Sequence, residues 1–145
     1  MIMKKTAVIY WSGTGNTEAM AQAVLAGMQE AGADAALYTP AEVTPALFDD
    51  LTGVAFGCPA MGAEVLEEMD FQPMWDEAKG FLGGKNVALF GSYGWGDGEW
   101  MRNWEERAKN DGATLVGGEG LIVNETPDDE ALEKCAALGA ELVKE

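Results

Sequence analysis

Histidine is missing from this 145-residue sequence altogether. A histidine-based general acid, proton shuttle or metal site is thereby excluded. Cysteine is scarce. Cys58 and Cys135 are the two present, too few for a zinc cluster, and nothing resembles a disulfide framework. Basic residues are few as well: nine Lys and Arg stand against 25 Asp and Glu, for a formal charge of −16. A field of that sign repels phosphate backbones and argues against nucleic acid as a partner. Long hydrophobic runs are also lacking, since no apolar stretch approaches the roughly 20 residues of a membrane span. The start, Met1-Ile2-Met3-Lys4-Lys5, has the charge of a secretory signal. The apolar run behind it covers only Ala7 to Trp11, and no small-residue cleavage site follows. What is present is a chain that is 48% hydrophobic, enough for one core despite its charge. The expectation is a single acidic domain over residues 1–145, cytoplasmic, off the membrane, and monomeric because its surface is charged.

Short apolar runs alternate with helical patterns. Thr6 to Tyr10 is apolar on both faces, as a central parallel strand must be. Met20, Ala23, Val24, Gly27 and Met28 recur at helical spacing, and Gly32 closes that helix. Ala35–Tyr38, Val54–Cys58 and Val87–Gly91 are further strands. A fifth runs through Leu121–Val123, with Thr114–Val116 as its first half. Thr44-Pro45 caps a short helix, and Pro73 opens another with Trp75, Ala78 and Leu82 inward. Trp100, Met101, Trp104 and Ala108 mark a helix ending near Gly112. Thr126-Pro127-Asp128-Asp129 caps the last one. Five βα units predict an α/β fold, a three-layer, doubly wound parallel sheet of order 2-1-3-4-5. Ligands of such sheets sit outside the carboxyl ends of the strands, at the switch point. That rule selects three loops.

The loop after strand one reads Trp11-Ser12-Gly13-Thr14-Gly15-Asn16-Thr17. Its glycines let the backbone fold tightly against a ligand, and the free N–H groups of the following helix point at it. Ser12, Thr14, Thr17 and Asn16 add neutral donors, which makes a nest for a phosphate. No Lys or Arg lies between Lys5 and Lys79, so neutral donors and the helix dipole would hold the charge. A dinucleotide fingerprint fails, because Glu18 stands where a third glycine belongs and strand two ends without a ribose-binding acid. The loop after strand three reads Pro59-Ala60-Met61-Gly62-Ala63-Glu64. Met61 is suited to lie against an aromatic face, Gly62 lets a peptide reverse, and Glu64 is placed to accept an imide N–H. The loop after strand four reads Ser92-Tyr93-Gly94-Trp95-Gly96-Asp97-Gly98. An indole flanked by glycines is costly to expose unless it covers something. Trp75, Trp100, Trp104 and both cysteines read instead as core. The loops together describe a flat aromatic ligand with one phosphate, and FMN fits.

These segments resemble the flavodoxins over nearly the full length. Ser12 to Thr17 is similar to the family's FMN-phosphate loop. Met61-Gly62 with Glu64, and Gly91 to Gly98, are similar to its two flavin loops. No long insertion separates Val116 from Val123, which resembles the short-chain class. The resemblance implies a cofactor site made of residues 11–17, 59–64 and 92–96. Ser12, Thr14, Thr17 and nearby N–H groups would bind the phosphate, and Met61 and Trp95 would flank the isoalloxazine. The Gly62 carbonyl would accept the N5 proton of the semiquinone, and Glu64 would hold N3–H. It also implies a low-potential one-electron carrier, cycling mainly between semiquinone and hydroquinone. Its partners would be redox enzymes with basic patches, of the ferredoxin-type oxidoreductase or reductase kind. Relatives commonly carry Asp or Gly where this chain has Ala63; if positive φ is needed there, Ala costs about 1 kcal/mol more than Gly. Pro59 stands where relatives often have a phosphate-binding Ser, and it donates nothing.

Two other readings use the same topology. An FMN-dependent NAD(P)H or quinone reductase would need room for a second nucleotide and a basic 2′-phosphate site. A receiver-like signalling module would need clustered acids after strand one and a Lys after strand five. The sequence offers neither set. The acidic surface is expected to lower the flavin potential and to steer partners, with Glu64, Glu67, Glu68, Asp97 and Glu99 beside the flavin loops.

Overall fold

The computed structural model describes residues 4–62, 64–94 and 96–144. Four βα units and a split last strand build one parallel sheet. The elements are β1 (Lys5–Tyr10), α1 (Asn16–Glu30), β2 (Asp34–Tyr38), β3 (Gly53–Gly57), α2 (Phe71–Ala78), β4 (Asn86–Tyr93), α3 (Glu99–Asn110), β5 (Thr114–Leu115), β6 (Leu121–Asn124) and α4 (Asp129–Lys144). The order is β2-β1-β3-β4-β5, with β6 also pairing β4. This is the expected doubly wound order.

The period-2 alternation of the strands sorts their side chains into two cores. Val8, Ala55, Ala88 and Phe90 face α1 and α4, where Met20, Val24, Cys135 and Leu142 pack. Ile9, Phe56, Val87 and Leu89 face the other way, toward Trp75, Trp100, Met101 and Trp104. Those three tryptophans are buried as expected. Edge-to-face contacts link Trp75 to Trp104 and Phe56, with ring centroids 5.6 and 5.0 Å apart. Each such pair adds roughly 0.5–1.5 kcal/mol beyond its area burial. α1 and α4 lie side by side because Gly27 and Gly139 carry no Cβ. A Cβ on Gly27 would overlap the Ala136 carbonyl oxygen, and one on Gly139 the Val24 carbonyl oxygen.

Three local expectations are revised and a fourth is sharpened. Pro73 does not open its helix: α2 begins at Phe71, whose N–H is taken by the Glu67 carboxylate (below). Thr44-Pro45 starts only a 3-10 turn over Pro45–Asp49, with no side-chain cap. The fifth strand is divided, because Gly117 and Gly118 take φ of 77° and 78° between β5 and β6. Within the expected capping segment, Asp128 is the residue that caps α4, its Oδ1 accepting the Ala131 N–H at 2.8 Å.

Candidate functional site

A cavity of about 250 Å³ opens at the carboxyl edge of the sheet. It is lined by Trp11, Ser12, Gly13, Thr14, Asn16 and Thr17 after β1, by Pro59, Ala60 and Met61 after β3, and by Ser92, Tyr93 and Gly94 at the end of β4. Glu125, after β6, completes it. The three loops singled out in the sequence therefore converge. Of the remaining expected residues, Gly15, Gly62, Glu64 and Gly96 lie next to the lining rather than in it. Ala63 and Trp95 lie outside the described residues, so the indole that would cover a ring has no described position.

One end of the cavity is built by backbone. Gly15 sits at φ 97°, in the left-handed region, and its N–H donates to Ser12 Oγ at 3.1 Å. α1 has no side-chain cap, and its first helical bond runs from the Ala19 N–H to the Gly15 carbonyl at 3.0 Å. The N–H groups of Asn16, Thr17 and Glu18 are thus left pointing out of the helix end, where an anion is favoured. Thr17 is buried, and its Oγ1 shares a hydrogen bond with Ser92 Oγ at 3.3 Å. That contact fastens the first loop to the end of β4. Tyr10 donates to Glu18 at 3.2 Å. Burial first, and then the Glu18 carboxylate, raise its phenol above the ordinary value.

The other end is built by a tight turn. The Glu64 N–H donates to the Met61 carbonyl at 2.7 Å, and the Met61 N–H to the Val65 carbonyl at 2.9 Å. Glu64 itself takes φ 58°. Its Oε2 accepts the Trp100 N–H at 3.0 Å, at the start of α3. Its Oε1 is buried and has no partner among the described residues. A buried orphan acceptor is costly, and it fits a ligand that presents one N–H. Gly96, at φ 93°, passes so close that a Cβ would overlap this same oxygen. Glu64, Asp97 and Glu99 offer carboxylate oxygens within 4.8 Å of one another, which concentrates negative charge at this end.

Glu67 departs from the expected role. It is 5% exposed, not a solvated acid awaiting a partner. Its carboxylate accepts the N–H groups of Met69, Asp70 and Phe71, each at 2.8 Å. Burial alone would raise its pKa, but those backbone donors outweigh it and hold the carboxyl below the usual range. The Glu67 N–H donates to Cys58 Sγ at 3.4 Å. The Cys58 thiol is pushed up to about 12 by burial, so it serves packing and not nucleophilic chemistry.

Glu125 is the lining residue that the loop pattern did not single out. It takes φ 56°, pinned by its N–H donating to the Tyr93 carbonyl at 2.7 Å. Its signal was positional, since the chain leaves the carboxyl end of β6 there. Asn124 Nδ2 reaches the carbonyls of Tyr93 and Gly94 at 3.3 and 3.4 Å and fastens the fourth-strand loop.

An anion nest in the cleft and a lone N–H acceptor beside its lining suit a ligand with one phosphate and an imide-bearing ring. Comparison with known proteins agrees. Residues 8–139 match the flavodoxin family model. A flavodoxin from Clostridium beijerinckii is 44% identical, over 93% of this chain and 96% of its own. One from Megasphaera elsdenii is also 44% identical, over 94% and 97%. The solution structure of two-electron reduced Megasphaera elsdenii flavodoxin superposes with a TM-score of 0.87, covering 97% of this chain and 99% of that one. On the combined weight of fold, cleft and sequence, this chain belongs to the flavodoxin family, in its short-chain class, and its cofactor is FMN.

Proposed function

We propose that residues 1–145 form one FMN-binding domain that carries single electrons between redox enzymes and turns over no substrate of its own. The observation that carries this reading is the cleft with its surroundings: an anion nest whose described lining holds no Lys or Arg, and the buried, unpartnered Glu64 Oε1 beside that lining. FMN, when bound, supplies the isoalloxazine that accepts and releases electrons. The chain's residues do the rest. The N–H groups of Asn16, Thr17 and Glu18, with the Ser12 and Thr14 hydroxyls, hold the phosphate. Glu64 Oε1 accepts the ring N3–H while Oε2 stays on the start of α3. Met61 lies against one ring face, and the resemblance assigns the other to Trp95. Gly62, which has open space around the position of a Cβ, is free to turn its carbonyl toward the ring.

Among the described residues no Lys or Arg lines the cleft, so charge added to the ring meets no cation in that lining. This favours cycling at low potential, between the one-electron and two-electron reduced forms. Glu64, Glu68, Asp97 and Glu99 present an acidic rim to redox enzymes with basic patches, of the ferredoxin-type kind. The protein works in the cytoplasm as a monomer. No helix among the described residues is long and apolar enough to cross a membrane.

FMN titration of the purified protein tests this. Binding shows as quenched flavin fluorescence and a structured visible band. Stepwise dithionite reduction then resolves two one-electron steps, while NAD(P)H alone reduces nothing. An unchanged FMN spectrum would sink the cofactor half of the proposal, and unaided oxidation of NAD(P)H the carrier half.

A further inference from the structure

We propose that Glu125 acts as a counter-selectivity residue: its carboxylate opposes the FMN phosphate and holds the preference for FMN over uncharged riboflavin below what the nest alone would give. This rests on the FMN reading above. Three observations place this exposed residue at the cleft. Glu125 lies in the link from β6 to α4, and α4 packs along α1 on one face of the sheet. The link therefore leaves the sheet on the side where the α1 N-terminus ends. Glu125 lines the same cavity as Asn16 and Thr17 of that terminus. Its backbone is held at φ 56° by the bond to the Tyr93 carbonyl, a conformation that L side chains rarely adopt.

The charge is not consumed elsewhere. The Glu125 carboxylate has no hydrogen bond or ion pair among the described residues. The α4 terminus has its own acid, Asp128. No Lys or Arg lines the cleft to intervene. A carboxylate on the lining of the cleft that holds the phosphate repels it, with a strength that falls off beyond the ~8 Å screening length at physiological salt.

The test compares FMN and riboflavin affinities, by fluorescence quenching at low and high salt, in the full chain and three variants. E125Q removes the charge. E125N also removes it and tolerates the left-handed backbone better. E141Q removes one exposed charge near the far end of α4 and controls for total charge. E125Q and E125N should raise the FMN-to-riboflavin affinity ratio by about threefold or more at low salt. The gain should shrink at high salt, and E141Q should give much less. Riboflavin affinity serves as the internal check that the cleft is formed. An unchanged ratio in both Glu125 variants, or an equal gain in E141Q, overturns the inference. Failure of the unmodified chain to bind FMN would instead overturn the FMN reading itself.

Discussion

At the scale of the residue, Glu67 shows how an acid's role depends on what it meets. In the sequence it is one of three glutamates in a run of five residues, Glu64-Val65-Leu66-Glu67-Glu68. In the structure its carboxylate gathers the N–H groups of Met69, Asp70 and Phe71, the turn that leads into α2. Three charge-assisted hydrogen bonds make it a stabilising group, of the kind worth roughly 1.5–3 kcal/mol each at most. Its carboxyl is held below the ordinary range in the folded state. The stability it contributes is therefore present above its unfolded value of about 4.3, and is lost as pH falls through the lower folded value. E67Q should be less stable at pH 7 by about 2 kcal/mol in urea unfolding. Its stability should also fall less steeply than that of the unmodified chain below about pH 4.3. Parallel pH profiles for the two proteins would contradict this. The neighbouring Glu64 could be read from its loop position, because an acid after Met-Gly at the switch point has little to pack against. Glu67 was not legible in the same way, since its three partners are backbone groups of residues 69–71, which lie close only after the chain has turned.

Elements were legible wherever hydrophobic period and length agreed. β1, β3 and β4 are apolar on both faces, and α1, α3 and α4 repeat their apolar residues every three or four positions. Their boundaries depended on contacts. Pro73 fits the first turn of a helix by its fixed φ, yet α2 starts two residues earlier, at Phe71, whose N–H the Glu67 carboxylate accepts. The last strand is divided because two consecutive glycines take positive φ between its halves. The α1–α4 contact was read only as helical spacing on each side, whereas its closeness needs glycine on both helices. Gly139→Ala would gain up to about 1 kcal/mol of helix propensity. It would lose more, because its Cβ would overlap the Val24 carbonyl. Overpacking of this kind costs about 1–3 kcal/mol, so a net loss is expected in urea unfolding. A variant as stable as the parent would show that the helices separate freely.

At the scale of the whole molecule, the −16 charge is the feature on which the proposed encounter with partners depends. The acids are spread around the chain, but Glu64, Asp97 and Glu99 gather at the ring end of the cleft, where an approaching partner meets them. Electron delivery to an enzyme with a basic docking face should therefore slow as ionic strength rises, by tenfold or more across a few tenths molar salt, since steering of this type raises encounter rates by about 10 to 10³. Stopped-flow reduction of such a partner measures it. Rates indifferent to salt would remove the steering role and leave the charge as a solvated surface.

The sequence by itself determined the layered α/β architecture, the strand order and the three loops that converge on the cleft. Those follow from periodicity and from glycine and hydroxyl residues at fixed offsets, which are local properties of the chain. Only the tertiary structure decided that Glu67 turns inward, that Glu64 leaves one oxygen buried and unpartnered, that Gly27 and Gly139 set the distance between two helices, and that Glu125 enters the cleft. Each of these depends on atoms brought together from elements far apart in the chain, or on a backbone turn that composition does not fix. Side-chain type restricts what a residue is able to do, and the partners supplied by the fold select among those roles.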